Sequence, residues 1–488
     1  MTAAKRYHVT TFGCQMNEHD SERMKGMLES LGYAPAESQD DADLILFNTC
    51  SIRESADSRF VAHLGHAKRQ KTQRPDVVVG VGGCWAQSVK DEVFRRFPFV
   101  DVAFGPGQVH RLAEFLTSDS LSAQGYFEFE DFAGHLPTRR AREFQAWVQI
   151  SVGCNCNCSY CIVPSTRGRE VSRSFDELVQ EVHGLAADGV REVTLLGQNV
   201  NAYGRDLRPD RRTFAELLRA VDAVDGIDRI RYTSPHPKDM KEDVVIAHAE
   251  LPALCEHIHL PLQAGSSRIL KAMRRTYDRE RYMGRVALIR EHVPDVALTT
   301  DIIVGFPGET EEDFAQTLEI AEEVAYDGAF TFVFSPRRGT EAAELTEGIV
   351  PHPVKVERME RLVEVVQRRA RAHNPGAPGL RSTGEHARPP RQRAALRRHF
   401  RLPGGDQGEL LDQHRRVGQA HIRPDAQLAQ IVKAFHVYYR KVPLPGGDYT
   451  IDHTAAIYLM TATGEFSGTI DTQESDATAL EKLKRLIV

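Results

Sequence analysis

The sequence predicts an α/β chain in four parts: an N-terminal βαβ domain, a central parallel (β/α) barrel or partial barrel, an irregular Arg/Pro/Gly-rich segment and a small α+β fragment at the C-terminus. Three observations carry this. Short apolar runs alternate with amphipathic helical stretches over most of the 488 residues. The runs most often end in Gly, Asn, Ser or Cys, as strands do when they deliver residues to a site beyond their carboxyl ends. Near residue 374 the alternation stops and the composition changes.

At the N-terminus, YHVTTFGC, ADLILFNTC and DVVVGVGGC are apolar runs closing on Cys14, Cys50 and Cys84, and helix-like segments follow the first two. Three cysteines at three strand ends fit a converging three-thiolate site; the alternative is three small buried core residues. In the middle, VGCNCNCSYC places Cys154, Cys158 and Cys161 as CxxxCxxC. Three thiolates on a short loop can hold three irons of a [4Fe–4S] cube and leave the fourth open. A zinc loop would need four ligands, and no second CxxC or HxxxH pair is visible. Cys156, inside the loop, is either a competing ligand or a solvent-facing residue.

From 145 to 335 the runs AWVQISVGC, REVTLLGQN, DRIRYTS, HIHLPLQAGS, ALTTDIIVGF and GAFTFVFSP predict parallel strands, with a site at their C-terminal ends. The polar residues there are Gln198, Asn199, Ser234, His236, Gln263, Ser266 and Asp301; Gly305 and Gly308 suit close backbone approach to a ligand. Each alone also fits a turn or cap.

Net charge is −6, so nucleic-acid contact must come from local basic patches. Hydrophobic residues make up 41%, no apolar run reaches the roughly 20 residues of a membrane span, and no signal core opens the chain. Eight cysteines in such a chain favour metal chemistry over disulfides.

GCQMNEHDSE, NTCSIRE, GGCWAQ and GCN…CSYCIVPSTRGRE together resemble the methylthiotransferase family, over about residues 5 to 372. Gln15-Met16-Asn17 after the first cysteine is similar to the branch acting on isopentenylated tRNA. The Pro-Lys-Asn and Lys-Val-Asn forms of the ribosomal-protein and threonylcarbamoyl-adenosine branches are absent. The resemblance implies a methylthiotransferase domain (5–125) whose Cys14, Cys50 and Cys84 hold an auxiliary [4Fe–4S] cluster. It implies a radical-SAM core (140–372) with a second cluster on Cys154, Cys158 and Cys161. It implies S-adenosylmethionine (SAM) as cosubstrate, with Gln198, Asn199, Ser234, Gln263, Ser266, Asp301 and Gly305 near it or the substrate. The expected reaction is methylthiolation of C2 of N6-isopentenyladenosine at tRNA position 37, by a cytoplasmic monomer drawing electrons from a flavodoxin- or ferredoxin-type donor, with no membrane partner.

The family's RNA-gripping terminal barrel is not recognisable. Residues 373–423 are Arg-, Pro- and Gly-rich, and no Lys occurs from 357 to 432. This reads as compositional, either out of frame or joined to the rest; the alternative is an Arg-rich arm for RNA phosphates. Residues 424–488 resemble the C-terminal half of the Sco/SenC copper-delivery family, which implies a thioredoxin-like fold for this fragment. His453 stands at a copper-ligand position, but no cysteine follows Cys255, so a tight copper site is not expected. The predicted elements are a helix into a strand, a hairpin turning at Thr463-Gly464, a terminal helix and an exposed sheet edge.

Overall fold

The computed structural model describes residues 4–51, 54–117, 124–129, 136–209 and 211–373, and the strand segments 439–443, 449–453, 456–460 and 466–471. The chain divides into two units, Met1–His373 and Asn374–Val488.

The first unit opens with a parallel six-stranded sheet: β1 (Arg6–Thr11), β2 (Ala34–Pro35), β3 (Leu44–Thr49), β4 (Val78–Gly83), β5 (Val102–Phe104) and β6 (Gln124–Tyr126), in the order β2-β1-β3-β4-β5-β6. Helices α1 (Gln15–Ser30), α2 (Glu54–Gln73), α3 (Cys84–Val89), α4 (Glu92–Arg96) and α5 (Leu112–Thr117) connect them. β3 is buried on both faces, which explains its unbroken apolar run LILF. Ile45 and Phe47 pack with Phe60, Leu64 and Trp85, while Leu44 and Leu46 pack with Met24, Leu28, Leu112 and Phe115. The strand order reverses between β1 and β3, and at such a switch point the helices leave on opposite faces and open a crevice. Cys14 follows β1 and Cys50 follows β3, so they stand on its two sides; Cys84 follows β4, one strand over.

The core of the unit holds six parallel strands: β7 (Gln145–Gln149), β10 (Glu192–Leu196), β11 (Arg229–Tyr232), β12 (His257–His259), β13 (Ala297–Val304) and β14 (Gly328–Val333). They form two three-stranded sheets, β11-β10-β7 and β12-β13-β14, linked by a parallel bridge between Ile230 and Leu254. The expected partial barrel is thus the observed form. β8 (Ser151–Val152) and β9 (Val171–Ser172) bracket the cysteine loop as a small antiparallel pair around α6 (Val163–Arg167). Outside lie α7 (Phe175–Ala187), α8 (Phe214–Asp222), α9 (Glu242–Glu250), α10 (Ser267–Ala272), α11 (Arg279–His292), α12 (Glu311–Val324) and α13 (His352–His373). β13 alternates strictly: Leu298, Ile302 and Val304 join the helix-side core, so Thr299 and Asp301 face the lumen.

In the second unit, β15 (Tyr439–Pro443) pairs antiparallel with β16 (Tyr449–His453), and β17 (Ala456–Met460) with β18 (Phe466–Asp471). The latter pair agrees with the predicted hairpin. His453 ends β16. Residues 374–438, the turn at Thr463-Gly464 and the terminal helix lie outside the described residues, as do the helix, arm and out-of-frame readings that fall on them.

Candidate iron–sulfur and S-adenosylmethionine sites

At the N-terminal site, Cys14 caps α1 and is half-buried, while Cys50 and Cys84 are buried. Two glycines make this approach possible. A Cβ on Gly13 (φ +131°) would lie 2.7 Å from Cys50 Cβ, and one on Gly83 (φ +96°) 2.4 Å from the Thr49 carbonyl. Asn17 fastens the crevice, its Nδ2 donating to the carbonyls of Phe12 at 3.1 Å and Thr49 at 2.9 Å. Burial raises the Cys84 thiol pKa, with Cys14 adding to it and Arg167 opposing. A thiol held protonated by burial is one that a metal can deprotonate, which couples loading to proton release.

In the core, the β8–β9 loop brings four thiols together. Arg275 donates to Cys158 Sγ at 3.3 Å, and burial pushes Cys161 up to about 11. Cys156 does not face solvent as one reading expected. It is half-buried, its backbone N–H donates to Cys154 Sγ at 3.4 Å, and Asn199 Nδ2 points at its sulfur at 3.8 Å. The hydrogen bond from Cys154, with Lys238 and Arg275 nearby, lowers its pKa. Among the described residues no three His, Cys, Asp or Glu side chains converge on one metal-ion position. A cube takes one thiolate per iron, so its ligands surround a volume and need not converge on a single ion position. Replacing Cys156 with Asn is expected to leave the iron content of the core site unchanged, because the three CxxxCxxC thiols remain; iron and sulfide analysis checks this.

The strand-end residues separate into two groups. Gln198 has both amide atoms buried and unpartnered, and Asn199, 2% exposed, donates to Asp239 Oδ2 at 2.9 Å while its Oδ1 has no partner. Orphaned buried polar atoms beside the cysteine loop suit a polar cofactor. His236 is buried, its N–H bound to Asn201 Oδ1 at 2.8 Å, and burial holds its ring neutral. Ser234 is exposed on the rim at φ +58°, and Gln263, at φ +68°, donates its N–H to the Asp301 carbonyl at 2.8 Å. Asp301 lies in the lumen 3.3 Å from His259 Nε2. These are compatible with a ligand.

Ser266 and Gly305 have partners within the fold. Ser266 is the N-cap of α10 and donates to Asp313 Oδ1 at 2.6 Å, so its hydroxyl is consumed by capping. Gly305 is crowded by α13: a Cβ there would lie 2.4 Å from Lys355 Cγ, and its N–H goes to Glu309 Oε2 at 2.7 Å. Gly308 pairs with the Gly348 carbonyl at 2.7 Å. These three serve packing, which has the same sequence signature as ligand approach.

Sequence reasoning missed Arg167, Lys238 and Arg275. Arg167 was within reach, six positions beyond Cys161; nothing local marks the other two. Glu170 was also missed: half-buried, its carboxyl is raised to about 7 by burial first, with Arg205 opposing. The folded state therefore binds its proton more tightly than the unfolded chain, so stability falls as pH rises from about 4.5 to 7. Glu170→Gln should be more stable above pH 7, on the order of 1 kcal/mol after solvent screening, and indistinguishable below pH 4.5; denaturant titrations at both pH values read this.

Residues 6–105 match the model described as "Uncharacterized protein family UPF0004", residues 148–321 the Radical SAM superfamily, and residues 424–488 SCO1/SenC. A solved radical S-adenosylmethionine methyltransferase, TsrM from Kitasatospora setae with cobalamin and [4Fe-4S] cluster bound, is 14% identical with a TM-score of 0.52, covering 70% of this chain and 77% of its own. That likeness shows the fold. The tRNA-2-methylthio-N(6)-dimethylallyladenosine synthase of Streptomyces viridosporus is 49% identical over 365 residues, 74% of this chain and 72% of its own. That of Acidothermus cellulolyticus is 48% identical over 374 residues, 76% and 75%. By this identity and coverage the chain belongs to the tRNA-2-methylthio-N(6)-dimethylallyladenosine synthase family.

Proposed function

We infer that this chain places a methylthio group on C2 of N6-isopentenyladenosine at position 37 of tRNA. The observation that carries the reading is the presence, within one folded unit of a family member, of two separate three-cysteine sites, each at the carboxyl ends of its own parallel sheet. Cys14, Cys50 and Cys84 would hold one [4Fe–4S] cluster, and Cys154, Cys158 and Cys161 the other. When bound, the clusters and SAM supply one-electron hydrogen abstraction, a sulfur atom and a methyl group.

The chain's own residues bind, orient and exclude water. Gln198 and Asn199 offer unpartnered amide atoms to SAM. Arg275, stacked on Tyr277, keeps a positive charge 3.3 Å from Cys158 Sγ. The substrate base enters the lumen. There Phe330 is 58% exposed, paired in register with Asp301 and edge-on to His259 at 6.0 Å. An aromatic face open to a lumen suits an unstacked base from a loop. Phe330→Ala should weaken substrate binding by about 1–3 kcal/mol, seen as a raised KM with SAM cleavage retained in the absence of RNA.

The electron donor is of flavodoxin or ferredoxin type, and the enzyme acts as a cytoplasmic monomer; no helix among the described residues is long and apolar enough to cross a membrane. The test is anaerobic reaction of the reconstituted chain with anticodon stem-loops with and without the isopentenyl group. Product on the isopentenylated RNA alone supports the reading. Product on the unmodified or threonylcarbamoylated loop would assign the chain a different substrate.

A further inference from the structure

Arg167 stands where the two cysteine sites meet. It ends α6, in the loop region that carries Cys154, Cys158 and Cys161, yet its guanidinium enters the N-terminal site. Its Nη2 donates to Asp20 Oδ2 at 2.7 Å and lies 3.5 Å from Asn17 Oδ1. Both acceptors are on α1, whose cap is Cys14, and Asn17 Oδ1 also accepts from Cys14 Sγ at 3.6 Å. The side chains of Arg167 and Asp20 are 7% and 2% exposed. α6 packs against α3, which begins at Cys84, and the Arg167 charge acts on that thiol, opposing the rise that burial causes.

An arginine guanidinium stays protonated in a protein, and Asp20 pairs it directly here. A charge buried this deeply persists only with fixed partners, and here they are one carboxylate and the cysteine site itself. Arg23, a buried cation on α1, donates to Gln149 Oε1 at 3.1 Å and also lies within the field of Asp20.

We propose that Arg167 is a positioning residue supplied by the core to the N-terminal cluster, where its fixed charge stabilises the reduced, more negative state. The potential of that cluster then depends on the docking of the two halves of the unit. The inference rests on the cluster reading above. A charge beside a cluster acts on its potential through net charge and hydrogen bonds to sulfur. Asp20 sets how much of the charge is felt.

The experiment is a redox titration followed by electron paramagnetic resonance on the full chain carrying Cys154→Ala, Cys158→Ala and Cys161→Ala, so that only the N-terminal cluster reports. Arg167→Met is expected to shift its potential negative, Arg167→Lys to restore most of it, and Asp20→Asn to shift it positive. In the converse chain, with Cys14→Ala, Cys50→Ala and Cys84→Ala, Arg167→Met should move the core cluster far less. The proposal is overturned by a potential that neither Arg167→Met nor Asp20→Asn moves, by equal shifts at both clusters, or by joint loss of iron from both sites in every variant. Absence of iron from the N-terminal site before Arg167 or Asp20 is touched would instead overturn the cluster reading, and the inference with it.

Discussion

Cys158→Ala will stop this chain from cleaving SAM, whereas Cys50→Ala will leave that cleavage running and remove only the methylthiolated product. The expectation follows from where the two residues sit. Cys158 lies in the loop between β8 and β9, beside Arg275, and Cys156 of the same loop faces the Asn199 amide at 3.8 Å. Cys50 lies in the other sheet, at the end of β3, 3% exposed and packed against Gly13. A three-thiolate site that loses one ligand loses its cube or its geometry, so each substitution acts on its own site to the full. Separate cores of apolar side chains support the two sheets, so loss of one cluster does not unfold the other. Chromatography of 5′-deoxyadenosine and of the nucleoside product, run on both variants, reads the two activities independently. Loss of both activities in Cys50→Ala would mean that the sites are not separable.

Arg358→Ala is expected to cost about 3–5 kcal/mol of stability, more than any exposed ion pair in the chain. Arg358 on α13 reaches Glu309 Oε2 at 2.9 Å and the Glu309 carbonyl at 3.2 Å, with the two side chains 6% and 2% exposed. Glu309 in turn accepts the Gly305 N–H, so one carboxylate joins the end of β13 to the last helix. Truncating Arg358 leaves that carboxylate buried without its cation. Burial already raises the Glu309 pKa, and the group would then take up a proton or draw in water. Both tryptophans, Trp85 and Trp147, belong to the first unit, so a fluorescence-detected urea titration of the full chain reports on that unit alone. A midpoint unchanged from the unsubstituted chain would show that α13 is held by its apolar contacts instead.

The same region shows what could be read from the sequence and what could not. VGFPGET was correctly read as the end of a strand, because β13 alternates apolar and polar and then turns on glycines. Its glycines were read as facing a ligand, and they face Lys355 and Gly348. Glycine reports that something comes close, not what it is. Ser266 is ambiguous for a related reason: a buried serine at a strand end is as well explained by a helix cap. The cysteines were legible because three strand ends of one parallel sheet must lie on one edge, so residues at those ends are neighbours whatever the connections between them. Arg167, Lys238 and Arg275 were not. Arginine and lysine are common, and only the packing of α6 on α3, and of the β11–α9 and α10–α11 connections on the cysteine loop, brings them to sulfur. Cys156 was visible as an extra thiol, but its direction depended on Asn199, 43 residues away. In the tail, the pairing of β17 with β18 was readable from two short alternating runs.

The account stands on the claim that this chain makes 2-methylthio-N6-isopentenyladenosine. Nucleoside mass spectrometry of tRNA settles it most directly, in cells that lack their own enzyme of this family and express the full chain. The predicted result is appearance of the methylthiolated nucleoside, with its loss in Cys158→Ala and in Cys50→Ala. The contradicting result is N6-isopentenyladenosine left unthiolated while the purified chain carries both iron–sulfur clusters.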